Sequence, residues 1–296
     1  MKKKKIGLMD ILIFIFCGIF ALLCLYPIYY VLINTISDNR LVSGGKIMLY
    51  PRGIHFENYR QVAQLQGLPQ AAFISVARTV VGTFFAVISS SFLGYVMTKK
   101  EYWHRKFWYR FLLITMYFNS GIIPWYLLMT SLKLTNNFWG YVLPALASPF
   151  YMILAKTYIE SLPASLEESA EIDGAGYLVR YFRLIIPLAK PILATIAIFA
   201  AVGQWNSFMD TVYLMTDKKF YTLQFILYRF LHETDRIAEA MKRGAATSTA
   251  ASLSTQLTPA GVQFTVTIVT ILPILLVYPF FQRYFVKGIM IGAVKG

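Results

Sequence analysis

Residues 161–187 read SLPASLEESAEIDGAGYLVRYFRLIIP. Four acids, Glu167, Glu168, Glu171 and Asp173, fall in the first half of this stretch, which makes it too polar to cross a bilayer. Pro163 suits a helix start, and Ser165 with Glu168 three positions on has the spacing of a capping box. Leu166, Ala170 and Asp173 follow at helical spacing. Gly174 is placed to stop that helix. A second short helix is expected over 177–182, leading into Pro187. The stretch therefore reads as a short, acidic, exposed helix with a glycine stop, held between two apolar runs.

Working outward, apolar runs of the length a membrane span needs, about 20 residues, occur at 9–33, 71–97, 107–130, 138–158, 187–214 and 259–281. The expected fold is an all-α membrane protein with six transmembrane helices and the acidic helix between the fourth and fifth. Residues 1–8 form an N-terminal segment, 9–281 the membrane domain with the linking region at 161–183, and 282–296 a C-terminal tail. Bulk composition agrees. Hydrophobic residues are 57% and charged residues 14% of the 296, against about a quarter charged in a soluble domain. The first run is too long for a signal-peptide core and no small-residue cleavage site follows it, so it is expected to be retained.

The formal net charge is +14, but the basic residues lie between apolar runs and not in one patch, so orientation in a membrane explains them better than nucleic acid does. Lys2 to Lys5, then Lys99, Lys100, Arg105 and Lys106, then Arg180 and Arg183, and finally Arg283, Lys287 and Lys295 all fall on one side. Cytoplasmic loops carry such an excess, so both termini are expected in the cytoplasm. Arg40, Lys46, Arg52, Lys218, Lys219, Lys242 and Arg243 fall on the other side and moderate the bias. Arg78, near the outer end of the second span, is expected to snorkel outward. Asp210 is the one acid within the spans apart from Asp10 at an edge. Tyr102, Trp103 and Trp108 suit an interfacial aromatic belt. The stretch 245–255, rich in Ala, Ser and Thr, reads as a flexible outer loop.

Catalytic chemistry is missing from the sequence. His55, His104 and His232 lie in three different connections, Cys17 and Cys24 both lie in the first apolar run, and none of them has metal-ligand spacing. A phosphate-binding G-x-x-x-x-G-K-[ST] loop is also missing. The chain is not expected to be an enzyme, and if ATP drives it, another chain must bind the ATP.

An acidic exposed helix joined to two spans has two readings. It could rest on lipid headgroups, but interfacial helices are usually basic on the polar face. It could instead receive a protein partner, with Ala170 and Gly174 permitting close backbone approach. The residues themselves resemble a known family. Glu168-Ser169-Ala170, three residues, Gly174, nine residues, then Leu184-Ile185-Ile186-Pro187 is similar to the E-A-A-x3-G-x9-I-x-L-P signature of ABC importer permeases. Ile172-Asp173-Gly174-Ala175 is similar to the carbohydrate branch. The tail from Gln282 to Phe285, Lys287-Gly288 and Gly292 to Gly296 resembles the second permease of maltose-type systems. Gly121 to Pro124 and Trp205-Asn206 resemble its complex-oligosaccharide members. Ser169, Leu184 and Ile186 depart from the pattern but keep small volume or size.

The resemblance implies a permease subunit of an oligosaccharide importer in the bacterial cytoplasmic membrane. It implies a homologous second permease, two cytoplasmic ABC ATPase subunits that bind ATP and Mg, and an extracytoplasmic solute-binding protein. On these terms Glu168, Ser169, Ala170, Ile172, Asp173, Gly174 and Pro187 would couple the ATPase to the spans. A permease for peptides or amino acids, and a membrane scaffold without transport, remain as alternatives. A sugar path needs hydrogen-bonding side chains and aromatic faces with few fixed charges. Tyr117, Asn119, Gln204, Trp205 and Asn206 are the candidates, and Ser120 lies beside them. Each could equally be interhelical hydrogen-bonding or packing material. Gly121, Pro124, Pro273 and Pro279 are candidate bends.

Overall fold

The structure is a computed structural model that describes residues 7–118, 120–242 and 260–293, with the side chains of 233–242 and 278–293 outside the description. Asn119, the Lys2–Lys5 cluster, the 245–255 stretch and the tail side chains therefore lie outside the described residues. Every regular element among the described residues is helical. They are α1 (Leu8–Thr35), α2 (Asn39–Ser43), α3 (Glu57–Ala63), α4 (Leu68–Val96), α5 (Arg105–Tyr117), α6 (Ile122–Ser131), α7 (Trp139–Val142), α8 (Pro149–Glu160) and α9 (Ala164–Ile172). After them come α10 (Tyr177–Arg180), a π turn (Tyr181–Ile185), α11 (Ile186–Leu188), α12 (Lys190–Asn206), α13 (Met209–Leu214), α14 (Leu223–Lys242) and α15 (Ala260–Ala293).

Among the described residues three helices are long and apolar enough to cross a membrane: α1, α4 and the Ala260–Val277 part of α15. Counting each bent helix pair as one span raises the number to as many as six. The spans expected at 107–130, 138–158 and 187–214 are each a bent or broken helix pair, the first bending at Gly121, one of the expected bend points. The first is α5 and α6, bent by 116°, the second is broken by 48° before α8, and the third turns by 81° between the helical run Tyr177–Leu188 and α12. Gly121 sits at the first break with φ +85°, a backbone state that glycine adopts without strain. Ser148, extended, and Pro149 start α8 afresh. At the third break Ala189 lies between Pro187 and Pro191. Proline has no N–H for the helical ladder and disfavours helix at the residue before it. The third run also stops at Asn206, where Ser207 turns extended.

The chain divides into two compact units. One comprises residues 1–68 and 227–272. In it α1 is apolar all round and exposed along most of its length, as a helix solvated by lipid would be. Its C-terminal end is buried. Ile33, Val42 and Ile47 pack with Leu41, Ala260 and Phe264. Asn58 Nδ2 donates to the Thr35 carbonyl at 2.9 Å, and Asn39 Nδ2 donates to Asn58 Oδ1 at 2.9 Å.

The other unit comprises residues 69–226 and 273–296 and carries the sites described below. Ile74, Met129, Leu134, Tyr141, Val142, Leu214 and Met215 form one core cluster. Ala155, Ala189, Ile192 and Ile196 form another, which joins α8 to α12. Tyr95, Ile159, Tyr181 and Ile185 form a third, which joins the end of α4 to the π turn. The close approach of α4 and α8 depends on Gly94. A Cβ there would lie 2.8 Å from Ala155 Cβ and 2.9 Å from the Met152 carbonyl oxygen. Backbone cannot yield as a side-chain tip can. Gly94→Val is expected to destabilise the fold by about 1–3 kcal/mol, read as a lower thermal unfolding midpoint in detergent, with Gly176→Val, which has open space, as the control.

Candidate functional site

The acidic stretch forms α9 as expected, but its start is a correction. Pro163 occupies the N-cap with no side-chain cap bond, so the Ser165–Glu168 capping box does not form. Ser165 lies inside the helix, where its carbonyl accepts the Ser169 hydroxyl at 2.8 Å. The end follows the expectation. Gly174 has φ +79°, its N–H donates to the Glu171 carbonyl at 2.9 Å, and the Ala175 N–H donates to the Ala170 carbonyl at 2.9 Å. That bond pair is a Schellman stop, which satisfies carbonyls that the helix leaves open. The second helix does not stop at 182. It continues from α10 through the π turn into α11, and Pro187 stands exposed in its last turn.

The two faces of α9 differ. Residues three and four apart share a helix face, so Ser165, Glu168, Ser169 and Ile172 lie together, and all four are exposed. Ile172 is 86% exposed. Asp173 and Gly174 are exposed at the turn, and Ala170 is half-buried. Glu167, with its side chain 22% exposed, points the other way, and Glu171, still 64% exposed, turns its carboxylate to Arg180. Tyr95 OH donates to Glu167 Oε1 at 2.9 Å. Lys99 Nζ pairs with the same oxygen, and its ammonium lies 4.0 Å from the Tyr95 ring centroid. Arg180, 5% exposed, donates to Glu171 Oε2 at 2.7 Å and lies 3.8 Å from Glu167 Oε1. Two carboxylates thus meet two cations, so this partly buried cluster is locally neutral. Sequence reading did not find the cluster. Its one signal was that Glu167 and Glu171, four apart, share a face that Glu168 does not.

A second polar cluster lies in the same unit. Arg78 is 2% exposed and does not snorkel, which corrects that expectation. Its Nε and Nη2 donate to Gln204 Oε1 at 3.2 and 3.0 Å. Nη1 donates to the Ser207 carbonyl at 3.2 Å and to Asp210 Oδ1 at 3.1 Å, and Nη2 donates to Asp210 Oδ2 at 2.5 Å. All five N–H groups of the guanidinium are therefore used, and it lies 4.2 Å from the Tyr141 ring centroid. Gln204 Nε2 donates in turn to the Tyr141 carbonyl at 3.3 Å. Gly82 leaves room for that amide, since a Cβ there would lie 2.7 Å from it.

The four described residues considered for a sugar path are not gathered in one place. Tyr117 ends α5 and is 83% exposed. Asn119 is outside the description. At 3.6 residues per turn, Gln204, Trp205 and Asn206 face three directions. Gln204 joins the Arg78 cluster. Trp205 lines an apolar cavity of about 240 Å3 with Val76, Val80, Ile198 and Pro273. Asn206 is exposed and accepts a hydrogen bond from Gln224 at 3.1 Å.

Bent, apolar helices around buried polar cross-links, with a polar helix looped out between two of them, are the frame of a helical membrane protein. Residues 6–291 match the family described as binding-protein-dependent transport system inner membrane component. The chain belongs to that family, a multi-pass permease component of the cytoplasmic membrane. It is 31% identical to the polygalacturonan/rhamnogalacturonan transport system permease protein YtcP of Bacillus subtilis (strain 168), over 99% of this chain and 100% of that one. It is 26% identical to the arabinooligosaccharides transport system permease protein AraQ of Halalkalibacterium halodurans, over the whole of both chains. Among solved structures it is similar to a chain of a bacterial ABC transporter involved in the import of the acidic polysaccharide alginate. The TM-score is 0.79 and the identity 30%, over 96% of this chain and 99% of that chain.

Proposed function

We propose that this chain is one of two permease subunits of an ATP-driven importer for oligosaccharides, with six spans, both termini in the cytoplasm and α9 lying on the cytoplasmic surface. The second permease is a homologous chain, two ABC ATPase subunits bind ATP and Mg, and a solute-binding protein delivers sugar from outside. The observation that carries the docking role is the two-faced character of α9. Glu167 and Glu171 tie it inward by ion pairs, which leaves Glu168 and Ile172 outward with no side-chain hydrogen bond or ion pair among the described residues, beside Ser169, whose hydroxyl bonds only within the helix. An exposed isoleucine beside an acid suits a groove on a protein, because anionic lipid would repel the acids. Asp173 and Gly174 set the turn, and Pro187 sits where the helix that follows bends toward α12.

In the cycle, closure of the ATPase subunits displaces α9, the bent spans change from inward-open to outward-open, sugar enters, and hydrolysis resets them. The sugar class is supported by the named substrates of full-length relatives. The relatives named above are named for saccharides, which favours a sugar over a peptide or an amino acid. Tyr117, Asn119 and Asn206 remain the proposed sugar contacts within this chain. Gln204 and Trp205 stand in the same proposal, though the neighbours of Gln204 also suit a structural role.

The test is uptake by the complete transporter in proteoliposomes, with labelled oligosaccharides and labelled peptides offered in parallel. Sugar uptake that needs ATP inside the vesicle is the expected result. Glu168→Lys is expected to release the ATPase subunits during purification and to reduce uptake by about tenfold or more, since a lost charge-assisted contact of about 1.5–3 kcal/mol corresponds to at least that factor. Peptide uptake, or ATPase binding unchanged by Glu168→Lys, would overturn the corresponding part.

A further inference from the structure

We infer that Glu167 is a positioning residue that fastens α9 to α4, so that displacement of α9 is delivered to the second span as well as to the helices joined to it by the chain. The inference rests on the reading of α9 as the ATPase-docking helix and adds a route that this reading does not contain.

Connectivity sets the problem. Three residues join α9 to α8, and four join it to α10, so both of those helices must follow it. The end of α4 is 68–72 residues away in sequence and follows α9 only through non-covalent contact. Among the described residues the polar contacts between α9 and the α4 end converge on one carboxylate oxygen, Glu167 Oε1, which receives Tyr95 OH at 2.9 Å and pairs with Lys99. Tyr95 is 2% exposed. The Glu167 and Lys99 side chains are 22% and 14% exposed, so water competes for this contact less than for an open surface pair, and the Tyr95 ring covers one side of the ammonium.

The cluster behind the contact is buried and hydrogen-bonded. The Tyr95 ring centroid lies 5.4 Å from that of Tyr181, and the Tyr181 hydroxyl is hydrogen-bonded to Ser91 Oγ at 2.7 Å in a buried position. These contacts hold α4 against the π turn but do not reach α9. Glu167 alone, of the residues on α9, hydrogen-bonds to α4 among the described residues. Its loss leaves Lys99 without a carboxylate partner and leaves Tyr95 OH with the Tyr177 carbonyl at 3.4 Å. Arg180 keeps Glu171, so α9 stays attached to α10. The consequence is specific: α9 should still dock and still move, while α4 lags behind it.

The test uses the complete transporter in proteoliposomes and follows three quantities: ATPase subunits retained on purification, ATP hydrolysed, and sugar imported per ATP. Glu167→Ala and Lys99→Met are each expected to keep the ATPase subunits and their hydrolysis while sugar per ATP falls about fivefold or more. The double variant should be no worse than either single, because the two residues serve one contact. Glu167→Gln, which retains an oxygen for Tyr95 OH, should recover part of the loss. A merely structural role would lower transporter abundance, hydrolysis and import together and leave the ratio unchanged. As a variant that does not depend on tolerance of alanine, Lys99→Cys/Glu167→Cys, with Cys17 and Cys24 replaced by alanine, should show a low ratio when reduced and a restored one when the disulfide forms. An unchanged ratio in Glu167→Ala, multiplied losses in the double variant, or no difference between the reduced and oxidised cysteine pair would overturn the inference. Failure of the docking reading is separately visible as ATPase retention that Glu168→Lys and Ile172→Asp do not alter, and it overturns the inference as well.

Discussion

Asp210→Ala is expected to be the most damaging single change in the chain outside α9, lowering stability by about 3–5 kcal/mol. The reason is the partner it leaves behind. Arg78 is buried, and all five of its N–H groups have acceptors in the cluster. Without the carboxylate a guanidinium remains in an apolar bundle with only the neutral oxygens of Gln204 and Ser207. It cannot escape by losing its proton. The magnitude comes from stranding a charge, not from the strength of the pair. A double variant therefore separates the two. Arg78→Met/Asp210→Leu removes both charges and should cost less than Asp210→Ala, about 1–3 kcal/mol, because Gln204 Oε1 then lacks its donor. Unfolding midpoints of the purified protein in detergent, with membrane abundance alongside, are the measurement. Equal losses in the single and double variants would contradict the account.

Gly174→Pro is expected to abolish uptake while the protein still inserts at normal abundance. Proline is confined to φ near −65°, and Gly174 sits at +79°. Proline also lacks the N–H that closes the stop on the Glu171 carbonyl at 2.9 Å. The chain after Ile172 must then leave in another direction, which swings α9 relative to α10 and spoils the Arg180–Glu171 pair. The apolar spans are untouched, so insertion should persist. Gly174→Asn is the informative partner, since asparagine tolerates the left-handed region better than other side chains. It should keep a substantial share of uptake. Import assayed with membrane abundance decides the matter, and normal uptake by Gly174→Pro would refute the role of the turn.

The sequence was most legible where one short-range rule sufficed. Apolar runs located the helices because the cost of burying polar groups in lipid acts on every residue of a span. Gly174 announced the end of α9 because a left-handed position is a local demand. The Ser165–Glu168 pattern misled because Pro163, two residues earlier, started the helix first, and a capping box requires its serine at the boundary. The bends near Gly121 and Ala189 had visible glycine and proline markers. α15 passes Pro273 without a break, so the marker alone does not decide where a helix turns.

The polar clusters show the same division. Arg78 and Asp210 were each conspicuous as lone opposite charges in apolar surroundings, yet they stand 132 residues apart, and nothing in their neighbourhoods connects them. Snorkelling was a sound expectation for an arginine considered alone. Glu167 and Glu168 are adjacent and chemically alike, and only the packing of α9 on Tyr95, Lys99 and Arg180 assigns one inward and the other outward.

By itself, then, the amino-acid order determined that this is a helical membrane chain with an acidic, glycine-stopped helix between apolar runs, because hydropathy and backbone preference act over a few residues. Tertiary structure decided which helices bend, which charges pair and which acids stay exposed. Those outcomes depend on groups brought together from distant parts of the chain, and their energies exist only once the helices have packed.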